Sequence, residues 1–176
     1  MAPREIPVYL FLGFLESGKT TFIQETMEDE RFDSGERTLL LVAEEGEVEY
    51  DPSRFAVEHF AVEEVDEAGL NGRNLAALVQ KHRADRVVLE YNGMWELQRL
   101  FDAMPDGWLI AQVMTFFDSN TFLAYNKNMR QLVFDKIPYA DMVVFNRFDD
   151  KFSKEEFHKI VRGASRRPGI VFEYPG

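Results

Sequence analysis

Short, continuous apolar runs alternate with amphipathic stretches along this sequence, and that alternation restricts the fold more than any other feature. Val8–Leu12, Thr38–Ala43, Arg86–Glu90, Leu109–Phe117, Asp141–Phe145 and Ile170–Tyr174 read as strands. Phe55–Ala61 reads as a further strand, with an alternation that suggests one exposed face. Between them, Thr20–Glu28, Asn71–His82, Met94–Met104, Thr121–Ile137 and a segment from Ser153 to Arg162 are expected to be helical. The Met94–Met104 helix stops before Pro105 and Gly107, and Ser153-Lys-Glu-Glu156 has the form of a capping box. Apolar strands separated by helices imply an α/β domain in three layers, with a mostly parallel central sheet flanked by helices. A chain of 176 residues can bury one such core, so a single domain over residues 1–176 is expected. Its 16 phenylalanines fall mainly in the strands and on apolar helix faces, where they would fill that core. In sheets of this kind ligands bind beyond the carboxyl ends of the strands.

The first such end carries a constellation with chemistry. Gly13 and Gly18 bracket four residues, and Lys19-Thr20-Thr21 follow, after a strand and before a helix. A loop of that spacing wraps successive backbone N–H groups around a β-phosphate, and the helix amino terminus adds partial positive charge. The expected cradle comprises Gly13, Glu16, Ser17, Gly18, Lys19, Thr20 and Thr21. Lys19 would reach the β- and γ-phosphates, and the Thr20 hydroxyl would ligate Mg²⁺. A glycine-rich turn that merely caps a helix is the plainer alternative, but chance rarely produces the whole pattern in this context. The fold expected is therefore that of a P-loop NTPase. Glu16 is awkward there, because a carboxylate inside a phosphate cradle must point outward to solvent, a metal ion or a partner subunit.

Two later strand ends follow the same design. Glu90 closes the run Arg86-Val-Val-Leu-Glu, with Gly93 three positions on. P-loop proteins place an acid near Mg²⁺ or its water ligands, and a backbone N–H near the γ-phosphate to sense hydrolysis. After Asp141–Phe145 come Asn146 and Asp149, three positions apart, with Arg147 between. An Asp there can accept hydrogen bonds from guanine N1 and N2, for which adenine has no matching donors, while the Asn supports the loop and Arg147 covers the base. Taken alone, each pair is also compatible with an ordinary turn.

Charge narrows the partners. The formal net charge is −11, a field that repels nucleic acid and anionic membrane surfaces. The same field repels a nucleotide, so local amides, Lys19 and a metal ion must overcome it. There is no cysteine in the sequence, which removes disulfides and thiolate metal sites. No apolar run is long enough to span a bilayer, and a cytoplasmic location is expected.

In order and approximate spacing, these segments resemble the CobW/HypB/UreG group of P-loop GTPases, and most closely its CobW-like branch. That branch reads GFLGSGKTT, NEFGxVxID, ExTG and ADxxxxNKxD; here the segments are Gly13–Thr21, Ala43–Asp51, Glu90–Gly93 and Ala140–Asp149. The resemblance implies GTP/GDP and Mg²⁺ as cofactors, slow GTP hydrolysis, and metal handling that often ends in delivery to an apoprotein client. It carries Gly18, Lys19 and Thr20 to phosphate and Mg²⁺, Glu44, Gly46 and Asp51 to the first switch, Glu90 and Gly93 to the second, and Asn146 and Asp149 to guanine. Thr20, Glu44, Asp51 and Glu90 are the metal candidates; Lys19, Thr20 and Glu90 are the catalytic ones. The sequence departs from the branch in three places. Its Cys-x-Cys-Cys metal motif is absent, its inner loop glycine is Glu16, and its carboxy-terminal domain is expected to be absent.

Several signals stay open at this stage. Glu44–Asp51 is either a solvated acidic loop or a carboxylate site for a second divalent ion. Arg166-Arg167-Pro168-Gly169 either borders the base pocket or is a plain turn. His59, His82 and His158 share no ligand spacing. The leading expectation is a GTP-binding protein that hydrolyses GTP weakly and needs a partner, or a nucleotide-dependent homodimer, to turn over faster. Its rivals are a non-catalytic, nucleotide-dependent assembly module and a P-loop small-molecule kinase.

Overall fold

The computed structural model of the protein describes residues 4–43 and 50–175, so Glu44 and Gly46 lie outside the described residues. Its strands are β1 (Ile6–Gly13), β2 (Thr38–Val42), β3 (Phe60–Glu64), β4 (Arg86–Glu90), β5 (Trp108–Asp118), β6 (Met142–Asn146) and β7 (Gly169–Phe172). They form a seven-stranded sheet in the order β3-β2-β4-β1-β5-β6-β7, with every neighbouring pair parallel. The inner strands are the continuous apolar runs of the sequence, because both their faces are covered. β4 (Arg-Val-Val-Leu-Glu) is buried at every position, whereas the edge strand β3 alternates between exposed and half-buried.

The helices are α1 (Lys19–Met27), α2 (Gly72–His82), α3 (Leu97–Ala103), α4 (Phe122–Asn128), α5 (Arg130–Asp135) and α6 (Lys154–Ala164). Alternate strand residues divide between the two faces. Phe11, Leu40, Val88, Phe116 and Val144 meet Ile23 and Met27 of α1. Leu10, Leu12, Leu41, Leu89 and Phe145 meet Leu75, Leu97, Phe122, Val133 and Phe157, which come from the remaining helices. Phenylalanines dominate the second face, as expected. Phe117, Phe122, Phe145 and Phe157 make ring contacts with centroids 4.7–5.7 Å apart.

Apart from small shifts at element ends, the structure departs from the sequence reading in two places. The strand expected at Phe55–Ala61 begins at Phe60 instead. Pro52–Arg54 is a 3₁₀ turn, and the backbone amides of Ala56 and Val57 both donate to Met27 O, which ties this stretch to the end of α1 and not to the sheet. The helix expected over Thr121–Ile137 is broken at Met129 (φ −137°, ψ 46°), and Phe122 and Val133, on either side of the break, belong to the same core. The N-cap half of the expected capping box is present, with Ser153 Oγ accepting from Glu156 N at 3.1 Å.

Arg167 pairs with Asp141 Oδ1 at 2.9 Å, at the amino end of β6. The base pocket expected near Arg166–Gly169 would lie at the other end of that strand, so Arg167 is part of a structural clasp. The remaining oxygen, Asp141 Oδ2, accepts from Val113 N at 2.9 Å. That backbone hydrogen bond, and then Arg167, hold the Asp141 carboxyl below its ordinary value. Because the folded pKa lies below the unfolded one, the contribution is complete above about pH 4–5 and is lost as pH falls through the folded value. Asp141→Asn is therefore expected to flatten the acid side of the urea midpoint plotted against pH, with the largest difference from the unaltered protein near neutrality.

Candidate functional site

β1 delivers the chain to its carboxyl end at Gly13, and the polypeptide turns through residues 14–18 into α1. Two glycines make the turn sterically feasible. A Cβ at Gly13 (φ +150°) would lie 2.5 Å from Phe116 O, and one at Gly18 (φ +95°) would lie 2.1 Å from Asn146 Nδ2. Glu16 also sits in the left-handed region, at φ 63°, a position that costs a non-glycine residue about 1 kcal/mol. It is exposed, as a carboxylate in this loop must be. The N-cap of α1 is Gly18, which has no side chain to cap the helix. Lys19 is buried against the loop, with Nζ donating to Phe14 O at 3.3 Å.

The loop is held from behind by the segment after β6. Asn146 Nδ2 donates to Ser17 O at 2.8 Å. Arg147, itself left-handed at φ 53°, donates from Nη1 to Glu16 O at 3.2 Å and pairs with Asp118 Oδ2 at 2.6 Å. Gly93 supports the other side, since a Cβ there would lie 2.6 Å from Gly13 O and 2.8 Å from Phe14 Cα. Gly93 thus packs against the root of the loop. Asp149 follows three residues after Asn146, where it accepts from Lys151 N at 2.8 Å and stays partly exposed.

Beside the loop, Thr20 Oγ1 donates to Glu90 Oε1 at 2.9 Å, and Glu90 is 2% exposed. The Tyr50 hydroxyl donates to Glu90 Oε2. Burial, reinforced by the charge on Glu90, pushes the Tyr50 phenol far above its ordinary value, so it remains a donor. Asp51 is not brought to this pair. Its carboxylate accepts from Ser53 N at 3.2 Å and Ser53 Oγ at 2.6 Å and caps the Pro52–Arg54 turn. Thr20 and Glu90, both hard oxygen donors in contact, fit a divalent cation such as Mg²⁺.

Thr20, Tyr50 and Glu90 line a cavity of about 1150 Å³ that begins at Asp118 and Arg147, whereas Gly13, Asp51, Gly93, Asn146 and Asp149 are not among its described lining residues. It runs along Leu15–Thr21 and past Glu90 to Val65–Ala68, Asn92 and Trp95. Lys19 and Arg147 are its described cationic residues, against Glu16, Glu64, Asp66, Glu67, Glu90 and Asp118. With acids outnumbering cations among the described lining residues, a polyanion here would need amides and an accompanying cation in addition to Lys19.

Sequence reasoning missed Asp118 and Tyr50. Asp118 terminates β5 as Glu90 terminates β4, so the rule that found one acid at a strand end would have found the other, had the strand been extended by one residue. Tyr50 carried no signal, being embedded in the acidic run.

Gly93→Ala tests the packing at the root of the loop. Because the clashing atoms are backbone, the loop must shift, and we expect a melting temperature lower by several degrees together with perturbed amide resonances across Phe14–Thr21.

Among the described residues, no helix is long and apolar enough to cross a membrane. A search of curated proteins finds no match. Among solved structures, the chain is similar to the hydrogenase maturation factor HypB from Archaeoglobus fulgidus. The TM-score is 0.65 at 15% sequence identity, over 97% of this chain and 81% of that one, a likeness of fold. The family model for the CobW/HypB/UreG nucleotide-binding domain matches residues 7–168, nearly the whole length, and the chain belongs to that family.

Proposed function

We propose that this chain binds GTP with Mg²⁺ and hydrolyses it slowly. The observation that carries the reading is the contact of Thr20 with Glu90 beside a loop whose carbonyls are tied to Asn146 and Arg147. Family membership supports nucleotide binding in general, and the residues supply the particulars. Amides of Gly18–Thr21 and the Lys19 ammonium would receive the phosphates, with Gly13, Glu16, Ser17 and Gly93 shaping the loop. Thr20 and Glu90 would hold Mg²⁺, which when bound neutralises phosphate charge. On the base side, Asp149 would accept from guanine N1 and N2, with Asn146 and Arg147 fixing the loop that presents it.

Slow turnover is expected because no Gln or His is among the described residues lining the cavity and its one described Arg, Arg147, belongs to the proposed base side. Arg147 is committed to Asp118 and to Glu16 O, which leaves it poorly placed to meet charge developing on a γ-phosphate. A partner, or a second copy in a nucleotide-dependent homodimer, would then accelerate the reaction. Metal handling and delivery to a client protein are carried by kinship alone. The roles of Glu44 and Asp51 as ligands to a second divalent ion stay with the sequence reading.

Calorimetric titration with GDP, GTP and ATP in Mg²⁺ tests the proposal. We expect guanine nucleotides to bind and ATP to bind far more weakly, and Asp149→Ala to weaken GDP by about a hundredfold or more. An ATP preference would remove the guanine assignment. Binding without any single-turnover hydrolysis would leave a non-catalytic, nucleotide-dependent module.

A further inference from the structure

Both oxygens of the buried Glu90 carboxylate are engaged, and nucleotide binding explains only one of the engagements. Thr20 Oγ1 donates to Oε1 at 2.9 Å, which turns its proton to the carboxylate as a cation-binding hydroxyl requires, and the same hydroxyl also interacts with that of Tyr50. The Tyr50 hydroxyl donates to Oε2, the oxygen that would otherwise accept from a water bound to that cation. The position of Tyr50 is enforced by α1. Gln24 grips the neighbouring residue twice, with Nε2 donating to Asp51 O at 3.0 Å and Oε1 accepting from Asp51 N at 2.9 Å. The helix that begins at the phosphate loop therefore also places the tyrosine.

Resting on the nucleotide reading above, we propose that Tyr50 is a latch on the cation site: its hydroxyl satisfies Glu90 in the cation-free state and yields that oxygen when Mg²⁺–nucleotide binds. A buried carboxylate oxygen is costly to leave without a donor, so the phenol stabilises the free state. An interaction made only in the free state opposes loading by its own worth. Tyr50→Phe keeps the ring and removes the hydroxyl, so it raises the free state relative to the loaded one. Mg²⁺–GDP should then bind about tenfold more tightly. Gln24→Ala, which releases the backbone grip and retains the phenol, should move the affinity in the same direction by a smaller factor.

The test is calorimetric titration of GDP into the unaltered protein, Tyr50→Phe and Gln24→Ala, each with Mg²⁺ and again with a chelator. It is read alongside the ring-carbon resonance of Tyr50 in protein carrying ¹³C-labelled tyrosine. The expected result is tighter Mg²⁺–GDP binding by Tyr50→Phe, little change in the chelator, and a Tyr50 resonance that moves with Mg²⁺–GDP but not with GDP and chelator. Equal or weaker Mg²⁺–GDP binding by Tyr50→Phe, or a resonance that stays in place, overturns the latch while GDP binding itself stands. Absence of GDP binding in every protein and condition removes the nucleotide reading, and the latch with it.

Discussion

An acidic protein can hold a polyphosphate only where fixed donors locally outweigh its own field, and here those donors depend on a loop fastened from behind. With a net charge of −11 and six described acids along the cavity, side-chain cations alone cannot supply the attraction. Backbone amides can, because they carry partial charge without a counter-charge and need no reorganisation once the backbone is fixed. Asn146 and Arg147 fix it through the carbonyls of Ser17 and Glu16, so a loop at the end of β1 is tied to a loop at the end of β6. Gly93, after β4, closes the third side by permitting backbone contact with Gly13 and Phe14.

The parallel sheet is what gathers these pieces. β1 lies between β4 and β5, with β6 next to β5, so the carboxyl ends carrying Gly13, Glu90, Asp118 and Asn146 are neighbours although the residues are far apart in sequence. The loop after β1, the acid that closes β4 and the segment after β6 occupy one rim of the sheet. The opposite rim serves stability, as with the clasp of Asp141 on Val113 N and Arg167.

Much of this was legible in the sequence because it follows from local rules. Apolar runs marked the strands from Leu39–Leu41 to Val143–Phe145, and the spacing of Gly13, Gly18, Lys19 and Thr20 placed the turn and the start of α1. Glu90 was found because an acid at the end of a buried strand is conspicuous. What escaped depends on tertiary partners. Nothing local announces that Met27 O will take the amides of Ala56 and Val57 and so delay β3 to Phe60. Nor does the acidic run reveal that Asp51 turns to Ser53 while Tyr50 turns to Glu90.

The left-handed backbone at Glu16 and Arg147 belongs to the same bracing, since each strained residue contributes an atom to the contact between the two loops. If that bracing presets the amides for an anion, they should respond to one directly. Amide resonances of Gly18, Lys19, Thr20 and Thr21, followed by ¹⁵N-resolved NMR as GDP and Mg²⁺ are added, measure this at the atoms concerned. The account predicts large, saturable shifts centred on those four amides, with smaller ones at Asn146 and Arg147. Shifts confined to Val65–Ala68 and Trp95, with the loop amides unmoved at saturation, would contradict it.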